Sequence, residues 1–143
     1  MVKERGYCMI DLGEINFYGA NLKRINLERV NLTGANLQGA NFEGANLERA
    51  LFETANFFMA NLEESSFGGA ILDETNLEGA NLTEAFNLSI DQLSKVRTLY
   101  NAKIDEELLI QLKEEFSSLF KSLKQKFLEY QSNLLGANAH NNL

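Results

Sequence analysis

Side chains able to do chemistry are few in this chain, and their spacing works against most reactions. The only histidine is His140, in an Asn-rich stretch at the end of the sequence. A histidine-based catalytic pair or a His-containing metal cluster therefore has no second member. Cys8 is the only cysteine, so an internal disulfide and a cysteine-rich metal site are both excluded. It reads as a half-buried small apolar residue. Paired acids occur at Glu63-Glu64 and Asp73-Glu74. General acid-base catalysis needs two carboxyls whose environments push their pKa values apart, and these pairs fall at solvent-facing positions. Gly68-Gly69 lies inside a repeat and not between a strand and a helix, so it is no phosphate-binding loop. No catalytic, cofactor-binding or metal-ligating set emerges, and the expected class is non-enzymatic.

What positions these residues is a repeat of five. Fifteen consecutive pentapeptides run from Ile10 to Glu84, each centred on Leu or Phe, from Leu12, Phe17 and Leu22 to Leu82. Asn stands just before most centres, and two residues before them stand Ala20, Ala35, Ala40, Ala45, Ala50, Ala55, Ala60, Ala70, Ala80 and Ala85. A period of five belongs to neither a helix nor a simple strand. Positions two apart on extended chain point the same way, so the centre and the small residue both face inward and the other three face out or bend. Outward residues echo at twenty: Gly19, Gly39 and Gly79; Arg29 and Arg49; Glu43 and Glu63; Leu51 and Ile71. Twenty residues are four pentapeptides, hence four sides per turn.

The run from Ala35 to Leu47, Ala-Asn-Leu-Gln-Gly-Ala-Asn-Phe-Glu-Gly-Ala-Asn-Leu, resembles the pentapeptide-repeat family. The resemblance implies an all-β solenoid, a right-handed quadrilateral parallel β-helix of about four coils. At the strand spacing of about 4.8 Å such a rod is about 20 Å long. Residues twenty apart then stack in columns such as Phe17, Leu37, Phe57 and Leu77, and no two Phe centres are adjacent. That alternation fills uniform layers without overpacking. Ile10, Ile15, Ile25 and Val30 occupy the small position in and just after the first coil, which implies a wider, self-plugging end. The Asn positions read as side chains that satisfy neighbouring backbone at bends.

After Glu84 the register is expected to end at Phe86-Asn87-Leu88. Ser89 with Gln92 forms a capping box that predicts a short helix near residues 90–97. Asn87 to Asp105 also resembles the closing segment of cyanobacterial members of the family. Asp105, followed by Glu106 and Glu107, caps a long helix for which Gly136 is the natural stop. The expected organisation is a β-helix over 1–88, a helical cap and extension over 89–136, and a flexible tail over 137–143.

Along the long helix Leu109, Leu112, Phe116, Leu119, Leu123, Phe127, Tyr130 and Leu134 recur with a mean spacing near the helical 3.6. Thirty residues span about 45 Å, twice the expected rod. Either the helix breaks near Ser117-Ser118 or Ser122 and folds back, or its far half buries itself on another molecule. The favoured expectation is a homodimer through Phe116, Leu119, Phe120, Leu123, Phe127, Tyr130 and Leu134. Glu114, Glu115 and Glu129 argue against a membrane surface despite Lys121, Lys124 and Lys126.

Charge is segregated. Residues 1–86 carry six basic and thirteen acidic side chains, and residues 87–143 carry seven of each. With no signal-peptide-like or membrane-spanning run, the default compartment is the cytoplasm. Two functions fit. The first is a protein-interaction or scaffold module whose contact surface is the outward apolar set Leu51, Phe58, Met59 and Ile71. Its partner cannot be named from the sequence, and direct nucleic-acid binding is not expected. The alternative, implied by the resemblance, is a DNA mimic that binds a type II topoisomerase such as gyrase through an acidic side of Glu43, Glu63, Glu64 and Glu84. A duplex of about 20 Å carries about twelve phosphate charges. This repeat has a net of only seven, with Arg29 and Arg49 on the next side.

Overall fold

The computed structural model describes the backbone of residues 2–4 and 7–141 and the side chains of residues 9–137, which leaves the side chains of Cys8 and His140 outside the described part. Antiparallel strands β1 (Val2–Glu4) and β2 (Tyr7–Met9) lead into the repeat. From Asp11 onward parallel β-bridges join residue n to residue n + 20: Asp11–Asn31–Leu51–Ile71, Asn16–Asn36–Asn56–Asn76, Asn21–Asn41–Asn61–Asn81 and Asn26–Asn46–Ser66–Phe86. Four bridged positions per twenty residues make four sides, named here after Leu51, Asn56, Asn61 and Ser66.

Each corner is a β-turn closed from the central residue's carbonyl to the amide three residues on, as from Leu32 O to Ala35 N at 3.0 Å. The third residue of every such turn has φ between +56° and +69°, whether glycine or not. Left-handed backbone costs an L-residue about 1–2 kcal/mol. Thr54, β-branched at φ +58°, is the least suited of them. Thr54→Gly is therefore expected to raise stability by about 0.5–1 kcal/mol, the relieved strain outweighing the unfolded-state entropy that glycine adds. A shift of the urea midpoint to higher concentration checks this.

Inside, the centres and the small residues from Leu32 to Leu82 are almost completely buried. Phe42, Phe52, Phe57 and Phe67 form a chain of edge-to-face contacts with centroids 5.0–6.5 Å apart. Ser65 and Thr75 take the small position without stranding a polar group. Their hydroxyls donate to the carbonyls of Leu62 and Phe52, and no buried described side-chain polar atom lacks a partner. In the first coil Leu12, Ile15, Phe17, Leu22 and Ile25 are only partly buried, and Ile10 is exposed.

The register does not end at Phe86. It skips two residues and resumes: Asn76 bridges Thr98 and Asn81 bridges Lys103, each now 22 apart. Leu99 and Ile104 act as centres, both buried, and the Ala102 amide donates to Leu99 O as in every other turn. The insertion is α1 (Ile90–Ser94), whose N-terminus carries the expected Ser89–Gln92 capping box. Gln92 also seals the coil beneath, its Nε2 donating to the carbonyls of Phe67 and Ala70 at 2.9 Å.

The single long helix is replaced by two. Helix α2 spans Glu106–Glu115 and stops at Phe116, whose φ −131° and ψ 43° are not helical. A 3-10 helix over Ser117–Phe120 follows, then α3 over Leu123–Asn141. The break has a tertiary cause, because Leu119 O accepts from Leu99 N at 2.7 Å, which lays this segment on the closing coil. Asp105 makes no side-chain cap on α2. Its carboxylate accepts the Glu84 amide at 3.1 Å instead, filling the role of a further coil. Gly136 does not stop α3, which continues through it to Asn141. Among the described residues no helix is long and apolar enough to cross a membrane.

Candidate functional site

Corners and sides carry the outward residues in an order that the repeat imposes. Going round one coil, the Leu51 side leads through the Glu53–Thr54 corner to the Asn56 side, then through Phe58–Met59 to the Asn61 side. From there the Glu63–Glu64 corner leads to the Ser66 side, and the Gly68–Gly69 corner back to Ile71, one coil above Leu51.

The Asn residues are structural. Each Oδ1 accepts the amide two residues on, as from Glu63 N to Asn61 at 3.2 Å. Several Nδ2 groups donate to the Asn one coil below: Asn61 to Asn41, Asn81 to Asn61, Asn76 to Asn56. Both ends of these amides are thus used by the fold.

The four apolar residues of the expected contact surface fall into two pairs. Leu51 and Ile71 stack on one side as bridged neighbours. Phe58 and Met59 lie at the corner beyond the next side, so the Asn56–Asn76 ladder separates the two pairs. Met59 is well exposed, and its Sδ lies over Gly79, where the missing Cβ leaves it room.

Glu43, Glu63, Glu64 and Glu84 do share one corner, with Asp105 continuing the row. The row is headed by Lys23, which pairs with Glu43 at 2.9 Å, while Glu63 accepts from Asn81 Nδ2 at 3.2 Å. The expected basic stripe is neutralised as well. Glu28 reaches Arg29 at 3.6 Å and Arg49 at 3.8 Å, and Glu48 accepts from Ser66 Oγ at 2.7 Å. All these charges are solvent-exposed in part and contribute little each. On α1, the hydrogen bond and charge of Asp91 raise the pKa of Lys95 above its ordinary value. Among the described residues no group of His, Cys, Asp and Glu is placed to hold a metal ion.

The seven residues expected on the dimer helix divide. Leu119 is buried and Phe116 and Phe120 are half-buried against the core, with Lys113 Nζ 5.7 Å above the Phe120 ring. Leu123, Phe127, Tyr130 and Leu134 are 52–83% exposed on α3, as are Leu128 and Leu135. Residues missed by the sequence reading were Leu99, Ala102 and Ile104. Their spacing, with a small residue two before the second centre, is the pentapeptide signal displaced by two.

A family model, pentapeptide repeats in 8 copies, matches residues 10–49 and 60–89. The chain belongs to the pentapeptide-repeat family. A pentapeptide repeat protein from the cyanobacterium Cyanothece 51142 is 32% identical with a TM-score of 0.54, over 66% of this chain and 60% of that one. Another from the thylakoid lumen of Arabidopsis thaliana is 23% identical with a TM-score of 0.57, over 73% of this chain and 74% of that one. The first is similar in sequence and fold, the second in fold. No curated protein matches the chain in sequence.

Proposed function

We propose that this pentapeptide-repeat protein is a non-enzymatic interaction module: a right-handed quadrilateral β-helix of about four coils that presents its outer corners to a protein partner and self-associates through α3. The observation that carries the reading is the set Leu123, Phe127, Tyr130 and Leu134. The core is closed from Leu32 to Leu119, yet these four stand in solvent on one helix. Exposed apolar side chains in a continuous row mark a contact surface. Lys124 and Lys126 flank that row as they would on a membrane-surface helix, but the third lysine, Lys121, is paired with Glu129 at 2.7 Å, and that acid sits on the same helix.

The DNA-mimic reading has only the Glu43–Glu84 corner behind it, and the Lys23 pair at its head interrupts the row. The interaction reading is tested by light scattering over micromolar concentrations. The chain is expected to be dimeric and Phe127→Glu monomeric, with the same melting temperature for the β-helix. A wild-type monomer throughout would sink self-association.

A further inference from the structure

We infer that α3 pairs with α3 of a second copy in antiparallel orientation, so that the two β-helices leave the helix pair at opposite ends. This rests on the self-association proposed above and adds its direction and consequence.

The seam residues Leu123, Phe127, Tyr130 and Leu134 are spaced four, three and four, the alternation of a two-helix seam. A two-fold axis midway between Phe127 and Tyr130 sets Leu123 against Leu134 of the partner and Phe127 against Tyr130 of the partner. Two aromatic layers are then enclosed between two leucine layers. Each Tyr hydroxyl lies near the edge of the seam, where it keeps its water. The same axis places Lys124 near Gln131 of the partner and Lys126 near Asn133 of the partner, so the cations face neutral amides.

The β-helix decides between directions. Lys121, Ser122, Leu123 and Lys126 line a cavity of about 150 Å³ with Asn76, Glu78, Arg97 and Thr98, so the body stands beside the first turns of α3. A parallel partner would bring its own body to that same end, at the 8–10 Å spacing of packed helices. Residues 1–86 of each copy carry thirteen acidic against six basic side chains. Two bodies of like net charge would then share one end of the pair. An antiparallel partner brings instead its Gly136 and Ala137, small and exposed, to the crowded end. It also sets the attachment points of the two bodies about 17 Å apart along the helix axis, and it opposes the two helix dipoles favourably.

The seam is short. Eight side chains bury about 1,000 Å² in total, in the range of reversible complexes. The product is a two-ended connector with identical corners presented in opposite directions, suited to a partner that is itself dimeric or repeated. Such a partner gains by avidity without any new contact.

Thiol cross-linking separates the orientations, in a Cys8→Ser background that leaves no other cysteine. Lys124→Cys mixed with Gln131→Cys is expected to give a cross-linked dimer with a short bis-maleimide, and Lys126→Cys mixed with Gln131→Cys none. These flanking positions leave the seam intact. The reverse outcome overturns the orientation and leaves self-association standing. Dimers with neither cross-link overturn α3 pairing itself. A monomer by light scattering for the unsubstituted chain instead defeats the underlying self-association.

Discussion

Phe57→Ala is expected to cost about 4–5 kcal/mol of unfolding free energy, the upper part of the roughly 3–5 kcal/mol that a buried aromatic truncation costs. Phe57 is fully buried. Its ring meets Phe52 at 5.0 Å and Phe42 at 5.6 Å, edge to face. In an α-helical core the neighbours would close part of the gap. Here the coils above and below are held at hydrogen-bond spacing on every side, with Phe57 N on Asn76 O at 2.8 Å and Asn56 N on Ala35 O at 2.9 Å. The layers cannot approach, so the cavity stays open and its lining loses dispersion contacts outright. Urea denaturation followed by far-UV circular dichroism measures the change. A cost below about 1.5 kcal/mol would show that the coils do relax.

Leu119→Asp is expected to release everything from the 3-10 helix onward while the β-helix stays folded. Leu119 is buried, and its carbonyl takes the Leu99 amide at 2.7 Å and the Thr98 hydroxyl at 3.4 Å. A carboxylate at that buried position in the apolar core cannot remain charged without a partner, and the segment undocks rather than bury it. The loss is about 3 kcal/mol, in the range of a severe core substitution. Limited proteolysis reports it as new cleavage between residues 113 and 123, with the β-sheet circular dichroism retained. Protection unchanged from the wild type would show that the 3-10 segment is held by contacts other than Leu119.

Much of this architecture was legible in the sequence, for a physical reason. A period of five with an apolar centre and a small residue two before it admits few backbones, and the echo at twenty by itself implies four sides. The Asn ladder followed from the same register. What was hidden was hidden by small displacements. Two extra residues at α1 moved Leu99 and Ile104 out of phase, so a continuing coil read as its own ending. A break near Ser117-Ser118 was one of the two alternatives, and periodicity could not choose it because Phe116 and Leu119 satisfy a straight helical stripe and a docked 3-10 turn equally well. The bonds from Leu99 N and the Thr98 hydroxyl to Leu119 O distinguish them, and they join residues about twenty apart. The candidate contact surface is divided at a finer level. Leu51 and Phe58 are close in sequence, but a corner, a whole side and part of another corner lie between them.

The half-buried first coil gives the molecule a direction in time as well as in space. A solenoid's coils hold only their neighbours, so loss of structure travels from one end to the other. The far end is sealed by Gln92, Asp105 and the Leu119 segment, whereas Leu12, Phe17 and Leu22 have a coil on one side only. Unravelling therefore starts where the chain enters the repeat. Shortening from that end peels away one layer at a time, and the last part to let go is the part that holds α3.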